Sequence, residues 1–317
     1  MQSQESKKGS SKESGATAKS TAKTTANSHS ESYELLDSGD GRKLERVGAY
    51  KVERQAAVAM WKPALPSADW KKVDAFHNRS DTGGGHWDIR SKIPESWLTR
   101  HGGLLLKTKL TSFGHLGFFP EQAQQWEWFR KAGSLLLKKH GPSLKILNLF
   151  AYTGGSTLAL AQAGAEVTHV DAAKGIVDWA KENTILNDIP NGRARFIVED
   201  CQSFLNREER RGNKYDGVVL DPPSFGRGPN KEVFKIEEHL IPLLESVSKI
   251  LVPQPKLIHM SSHTAGFSAE VLRNLIAGVL RAESPAYVGE QGEMFVDETS
   301  RKWHLPSGTF CRLHLPC

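Results

Sequence analysis

Short apolar runs alternate with helical segments between residues 145 and 260, and this alternation most strongly constrains the fold. The apolar runs, at 145–150, 166–171, 195–198, 216–221 and 256–260, are rich in Val, Ile and Leu. Segments such as 156–163 and 236–251 lie between them and have the composition of helices. Repetition of strand and helix, with buried and β-branched strands, predicts a parallel sheet with helices on both faces. We therefore expect an α/β, doubly wound fold.

The flanking segments have a different character. Residues 122–137 have apolar positions at helical spacing, and 287–296 and 309–315 are typical of two closing strands with no helix between them. Residues 33–119 interleave tryptophans with Gly, Pro and basic residues, which indicates a small β-rich module. The first 31 residues are almost free of strongly apolar side chains and are predicted to be disordered. The predicted division is a tail (1–31), a β-rich module (32–119) and a larger domain (120–317).

Composition limits the cellular compartment and the binding partners that we expect. The chain has no run of eighteen apolar residues, so no membrane partner is expected. Cys201, Cys311 and Cys317 lack paired or metal-like spacing, which suits a reducing, cytoplasmic compartment and indicates no metal site. The tail contains Glu5 and Glu13, no Arg and no apolar core, unlike a targeting peptide. A net charge of +6 is compatible with nucleic acid, and equally with a mildly basic enzyme.

The loop after the first strand of the alternation is a candidate ligand site. Gly154 and Gly155 are adjacent there and would let backbone approach a ligand, ahead of the unpaired N–H groups of a helix. The next strand ends in Asp171, and the third is followed by Asp200. Ligands of open α/β sheets bind beyond the carboxyl ends of the strands, where carboxylates could accept hydrogen bonds from a ribose and an adenine.

Two interpretations of this loop remain open. The pattern G-x-G-x-x-G that binds a dinucleotide pyrophosphate is absent, so a ligand with a ribose and no phosphate fits better. S-adenosylmethionine is such a ligand. Alternatively, the glycine pair is only a tight turn.

The most specific motif is Asp221-Pro222-Pro223-Ser224-Phe225, directly after the fourth strand. Two prolines cannot continue a ladder of hydrogen bonds, and they restrict the chain to an extended turn. We expect this turn to hold the carboxylate of Asp221 beside an acceptor amine or ring nitrogen while Phe225 stacks on the base. The competing interpretation is a structural Pro-Pro turn with Phe225 in the core.

These segments resemble class I S-adenosylmethionine-dependent methyltransferases. More narrowly, 148–155, 170–171, 199–200 and 221–225 resemble the group containing the large-subunit ribosomal RNA methyltransferases for cytosine carbon-5 and guanine nitrogen-7, and 117–122 resembles the segment preceding their cofactor domain. The resemblance implies a seven-stranded Rossmann-like sheet with one antiparallel strand, S-adenosylmethionine as cofactor, and an RNA substrate, with ribosomal RNA favoured. Implied cofactor contacts are Gln122, Phe150, Tyr152, Thr153, Gly154, Gly155, Asp171, Ala172, Asp200 and Cys201, and implied catalytic residues are Asp221, Pro222, Pro223 and Phe225.

One departure from that group bears on the chemistry. Methylation of cytosine carbon-5 needs a thiolate that adds to the ring, and the ribosomal cytosine enzymes have a Cys after the fifth strand. This chain has Ser261, Ser262 and His263 there. Methylation at a nitrogen is therefore favoured, with His263 either accepting a proton or only hydrogen bonding. A methyltransferase for a protein or small molecule and a non-catalytic nucleic-acid-binding protein are the alternatives.

Overall fold

The computed structural model describes residues 32–80, 84–228, 233–280, 282 and 287–316. The tail that the sequence predicts to be disordered, 1–31, lies outside the described residues, and so does Cys317. None of the described helices combines the length and the apolar character that crossing a bilayer requires.

The N-terminal part of the described chain forms a five-stranded sheet and a separate hairpin. The sheet contains, in spatial order, β1 (Tyr33–Gly39), β2 (Arg42–Val47), β3 (Tyr50–Gln55), β4 (Ala75–Arg79) and β5 (Gly85–Ile89). Its neighbours pair antiparallel except β3 with β4, and the short helix α1 (Ser67–Trp70) lies in their connection. β6 (Trp97–His101) and β7 (Leu104–Thr108) form the hairpin. The prediction of a β-rich N-terminal part is confirmed.

The remainder is built around a seven-stranded sheet. After a 3-10 turn (Pro120–Gln122) the elements, in chain order, are α2 (Ala123–His140), β8 (Lys145–Leu149), α3 (Gly155–Gln162), β9 (Glu166–Asp171), α4 (Lys174–Leu186), β10 (Ala194–Val198), α5 (Cys201–Arg210), β11 (Gly217–Leu220), β12 (Phe225–Arg227), β13 (Val233–Lys235), α6 (Ile236–Ile250), β14 (Leu257–Ser262), α7 (Ala269–Leu280), β15 (Val288–Asp297) and β16 (His304–His314). β12 and β13 form a hairpin outside the main sheet.

The strand order of the large sheet is β10-β9-β8-β11-β14-β16-β15. β16 is antiparallel to both of its neighbours, and the other pairings are parallel. The predicted doubly wound sheet with one antiparallel strand is therefore confirmed. The chain leaves β8 toward β9 on one side and returns to β11 on the other. The strand order thus reverses between β8 and β11, where sheets of this kind open a ligand crevice.

The two faces of the sheet carry separate apolar cores. Ile146 packs with α2, α3 and the N-terminal strands, whereas its neighbour Leu147 packs with α5, α6 and α7. Alternate strand residues point to opposite faces, so each strand contributes to both cores. Sequence reasoning did not predict α7. Its buried residues Leu272, Ile276 and Leu280 recur every fourth position and carried the helical signal.

Hydrogen bonds from α4 fix the hairpin and the segment after it against the large sheet. The side-chain amide of Asn183, which is fully buried, accepts from the backbone N–H of Lys107 at 2.9 Å and donates to the carbonyl of Thr153 at 2.9 Å. The indole of Trp179 donates to the carbonyl of Lys107 at 3.0 Å. Residues 109–122, which follow β7, are thereby held beside the loop after β8.

We predict that Gly155→Ala destabilises the fold. A Cβ at this position would lie 2.5 Å from the Trp126 ring, which is buried and cannot move away cheaply. Overpacking of this kind costs about 1–3 kcal/mol, and urea unfolding would measure it. Gly278→Ala is the matched control: it lies inside α7 with open space around it, so it should be neutral or stabilise by about 0.5–1 kcal/mol. Equal stability of the two variants would contradict the packing argument.

Candidate active site

A cavity of about 450 Å³ lies at the carboxyl ends of the parallel strands. Asp171 ends β9, Asp200 immediately precedes α5, and Asp221 is the first residue after β11. All three line this one cavity, as the three strand ends predict. The rest of its lining comes from His115, Phe119, Phe150, Tyr152, Ala172, Ala173, Cys201, Pro222, Pro223, Ser224, Gly226, Gly228, Phe234 and His263.

The loop after β8 has a strained backbone. Phe150 and Tyr152 have φ values of 53° and 50°, in the left-handed region that side chains other than Gly rarely occupy. Such residues cost of order 1–3 kcal/mol each and persist where the surroundings hold them. Here the Tyr152 N–H donates to Asp171 Oδ2 at 3.0 Å, and the Thr153 hydroxyl donates to the Gly117 carbonyl. Both residues line the cavity.

The glycine pair has a structural role beside the ligand contact that the sequence suggests. Gly154 has φ 93° as the residue before α3, its N–H donates to Ala151 at 3.1 Å, and it does not line the cavity. Gly155 is needed because the Trp126 ring packs directly on it. Both glycines are therefore required by the fold itself. Contact of Gly154 with a cofactor stays a prediction.

Asp171 is held by backbone and faces the cavity. Its Oδ2 accepts from Tyr152 N–H and its Oδ1 from Ala173 N–H, both at 3.0 Å. Burial raises the pKa of this carboxyl above its usual value, although these two N–H groups act in the opposite direction. Each oxygen keeps a free lone-pair site, so the carboxylate can accept hydrogen bonds from a bound hydroxyl-bearing ligand.

Asp200 and Cys201 lie at the beginning of α5. Asp200 caps this helix, since its Oδ1 accepts from Ser203 N–H at 2.9 Å, and it also lines the cavity. The carboxylate thus has a structural task in addition to any ligand contact. Cys201 is buried against the cavity, and burial raises the pKa of its thiol far above the ordinary range.

Asp221 is anchored by Gln122. The Gln122 Nε2 donates to Asp221 Oδ2 at 3.1 Å and to Ser261 Oγ at 3.2 Å. A smaller cavity of about 40 Å³ adjoins the main one here, and both are lined by Phe150, Tyr152 and Asp221. Gln122 is 6% exposed, and its Oε1 has no hydrogen-bond partner among the described residues. An unpaired buried acceptor beside a cavity suits a ligand that brings a donor.

The structure does not place Phe225 in the cavity lining. Its side chain is 53% exposed, whereas its neighbour Gly226 lines the cavity. The backbone at Gly226 thus reaches the cavity, while the Phe225 ring next to it stays largely in solvent. The aromatic ring that the hairpin supplies is Phe234 on β13, whose centroid lies 5.1 Å from that of Phe150. Stacking of Phe225 on an acceptor stays a prediction, and in this structure Phe234 is the hairpin ring that lines the cavity.

The cavity is lined by a histidine and an aromatic ring, His115 and Phe119, that sequence reasoning did not assign to it. Phe119 packs against Tyr152 and His263 with centroid distances of 5.3 Å, and against His115 at 5.2 Å. His263 Nε2 lies 3.0 Å from Oε1 of Glu121, which is buried. Its Nδ1 lies 3.7 Å from Asp221 Oδ1. Sequence reasoning considered His263 alone, because its partner Glu121 is 142 positions away.

Comparison with known proteins identifies the cofactor. The sequence model of the S-adenosylmethionine-dependent methyltransferases matches residues 78–275. The crystal structure of the SAM-dependent methyltransferase from Agrobacterium tumefaciens is 37% identical, covers 89% of this chain and 90% of that chain, and superimposes with a TM-score of 0.81. This chain belongs to the S-adenosylmethionine-dependent methyltransferase family. It is an enzyme whose cofactor is S-adenosylmethionine.

Curated relatives match only in part. A protein named ribosomal RNA large subunit methyltransferase K/L from Pseudoalteromonas translucida is 38% identical over 133 residues, which are 41% of this chain and 18% of the relative. The protein of the same name from Colwellia psychrerythraea is 29% identical over 202 residues, 63% of this chain and 27% of the relative. The matched segments thus span less than a third of these relatives.

We predict that Asp171→Asn weakens S-adenosylmethionine binding by about 2–3 kcal/mol, because charge-assisted hydrogen bonds to the ribose are lost. Binding to the unsubstituted enzyme should also weaken as the pH falls through the raised pKa of Asp171, since the protonated carboxyl loses an acceptor. Calorimetry across pH would measure both effects. The exposed Asp178, which lines neither cavity, provides the control variant Asp178→Asn. Equal affinity of both variants would mean that the ribose lies elsewhere.

Proposed function

We propose that this enzyme transfers a methyl group to a nucleobase nitrogen in RNA, with ribosomal RNA as the favoured substrate. The reaction takes place in the cytoplasm and forms no covalent cysteine intermediate. The observation that carries the proposal is the placement of Asp221: Gln122 anchors its carboxylate in the cavity that Asp171 and Asp200 also line. Two carboxylates then serve the cofactor and the third serves the acceptor. Residues 32–119 form the accessory module in this proposal, and the domain that begins at residue 120 forms the catalytic part.

The residues of the cavity suit the cofactor. Asp171 would accept hydrogen bonds from the ribose hydroxyls and Asp200 from the adenine amino group. The unpaired Oε1 of Gln122 would accept from the ammonium of the methionine part. When bound, S-adenosylmethionine supplies an electrophilic methyl group on a sulfonium. Phe150 and Tyr152 would exclude water from that region with their rings.

The acceptor site requires orientation more than covalent chemistry. The Asp221 carboxylate would accept an N–H of the target base and turn the nitrogen lone pair toward the cofactor. Gln122 prevents the carboxylate from rotating, and the two prolines restrict the backbone behind it. Holding two reactants in line contributes up to about 7–11 kcal/mol to lowering a barrier, so positioning is sufficient as the main catalytic effect.

Two observations support nitrogen as the target atom. Ser261 and Ser262 end β14 and His263 follows it, at the place where attack on a cytosine ring would need a thiol. Burial raises the pKa of the Cys311 thiol to about 11, and it raises that of Cys201 even further. Thiols of this kind are protonated near neutral pH and are poor nucleophiles. Methylation of a nitrogen needs no thiol nucleophile.

His263 provides a place for the proton that an N–H acceptor releases. Its Nε2 is engaged with Glu121 Oε1 at 3.0 Å, and its Nδ1 is on the side of Asp221. Glu121 therefore holds the ring in a fixed orientation, as a carboxylate does for a catalytic histidine. In this proposal Asp221 holds the acceptor nitrogen while His263 takes up the proton.

RNA as the substrate is supported by the names of the curated relatives, and the net charge of +6 is compatible with it. We predict that incubating ribosomal RNA with the enzyme and S-adenosylmethionine produces a nucleoside methylated on a base nitrogen, detected by mass spectrometry. Asp221→Ala should lower turnover at least about 100-fold with nearly unchanged cofactor affinity, because it removes orientation only. A product methylated on cytosine carbon-5 would disprove the nitrogen assignment, and an equal loss of binding and turnover would make Asp221 structural.

We further predict that His263→Ala lowers kcat by about 100-fold, with little effect on cofactor affinity, because a proton acceptor is lost. Glu121→Gln should lower kcat less, since the ring keeps its place but loses a charged partner. Steady-state kinetics at saturating cofactor would measure both. His304→Ala, at an exposed position on β16, is the control and should retain full activity. Retention of full activity by His263→Ala would exclude a proton-transfer role.

A further inference from the structure

A second cavity opens beside the cofactor cavity, between the N-terminal sheet and the large sheet. Its volume is about 580 Å³, and we call it the cleft. His115, Phe119 and His263 line both cavities and form the passage between them. The N-terminal sheet contributes Lys43, Arg54, His77 and Arg79, and the opposite wall consists of residues 262–265, Phe267, Glu293 and 305–309. An acceptor base that enters through the cleft therefore reaches the part of the active site that contains Asp221 and His263.

Aromatic rings follow one another from the solvent into the site. Phe113, at the mouth of the cleft, is 66% exposed. Its ring centroid lies 6.3 Å from that of His115, which lies 5.2 Å from Phe119, and Phe119 lies 5.3 Å from Tyr152 in the cofactor cavity. Desolvation by the surrounding groups and the nearby Arg54 lower the pKa of His115 to about 4, so this ring is neutral near pH 7. Successive bases of a single strand stack on rings arranged in this way.

Hydrogen bonds fix the turn that carries the exposed Phe113. The turn that carries it, residues 111–115, is closed by the Thr111 hydroxyl, which donates to the His115 carbonyl at 2.9 Å. Arg54 donates to the Gly114 carbonyl at 2.9 Å, and the Trp87 indole donates to the Thr111 carbonyl at 2.7 Å. The N-terminal sheet therefore holds this turn in place, and an exposed ring costs little further entropy when a base stacks on it.

One wall of the cleft is basic. Arg54 donates to Glu45 at 2.6 and 2.7 Å, and Lys43 lies 3.5 Å from the same buried carboxylate, so two cations share one anion. The exposed Arg79 adds a further positive charge at the rim. This wall suits a phosphate backbone.

The opposite wall has no Lys or Arg among its described lining residues and carries the exposed carboxylate of Glu293. The basic side of the cleft is thus the N-terminal sheet, and the rings lie between that side and the active site.

We infer that the cleft binds an unpaired segment of RNA, with its backbone along Arg79 and the basic wall and a base flanking the target stacked on Phe113. The inference rests on the proposed function and specifies which form of RNA the enzyme accepts. Single-stranded RNA is favoured over a duplex because bases paired inside a helix cannot offer their faces to Phe113 and Phe119. Phe113 and Arg79 are therefore substrate contacts outside the catalytic machinery.

Fluorescence anisotropy of the full chain with a labelled single-stranded RNA of about 12 nucleotides tests this inference. Phe113→Ala should weaken binding about tenfold or more without changing its salt dependence, because a stacking contact is lost. Arg79→Ala should also weaken binding and should lower the slope of log affinity against log salt by about 1. Ile185→Ala and Arg210→Ala are matched controls, since both residues are exposed near the C-terminal ends of α4 and α5, at the opposite edge of the sheet.

The same RNA annealed to its complement should bind clearly more weakly than the single strand. Equal binding of the duplex, or variants at Phe113 and Arg79 that bind as well as the two controls, would overturn the inference. Failure of the cleft is distinguishable from failure of the proposed function. An enzyme that methylates ribosomal RNA but is insensitive to both substitutions disproves the cleft alone, whereas an enzyme that binds S-adenosylmethionine and methylates no RNA disproves the proposed function.

Discussion

The buried amide of Asn183 joins the two parts of the molecule that make the active site. It accepts from the backbone of β7 through Lys107 and donates to the loop after β8 through Thr153. A fully buried amide must keep its hydrogen bonds, because an unpaired donor or acceptor costs about 1–3 kcal/mol. The distance between the hairpin and the cofactor loop is thereby set. The segment carrying His115 and Phe119 depends on that distance to face the strand ends.

The active site contains a buried carboxylate and two strained residues, which cost folding free energy, and backbone hydrogen bonds that hold them in place. Burial opposes ionisation of Asp171, and the left-handed conformations of Phe150 and Tyr152 are strained. Hydrogen bonds between the two strand-end loops offset part of this cost, since Tyr152 N–H donates to the Asp171 carboxylate. Strain and desolvation concentrate at this edge of the sheet because ligand binding needs a carboxylate and two rings within one small cavity.

Much of the sheet and part of the site were predictable from local patterns. The alternation of apolar runs and helices predicts the parallel strands, and a carboxylate at the end of each strand can be placed because parallel strands end at a common edge. The roles of individual residues within the motifs were harder to predict from the sequence. Gly154 and Gly155 resemble ligand-contacting residues, yet Gly155 is required by Trp126 on a distant helix. Phe225 resembles a stacking residue, yet its ring stays largely in solvent.

Local sequence is sufficient to place Asp171, Asp200 and Asp221 at one edge, since each lies at or just after the end of its own strand and no distant contact is needed. Tertiary structure alone decided three other features: the Glu121–His263 pair, the unpaired Oε1 of Gln122 and the cleft beside Phe113. Each depends on how residues 109–122 pack against the large sheet. That packing is the sum of contacts between positions far apart in the chain, and a periodicity of two or 3.6 residues carries no information about them.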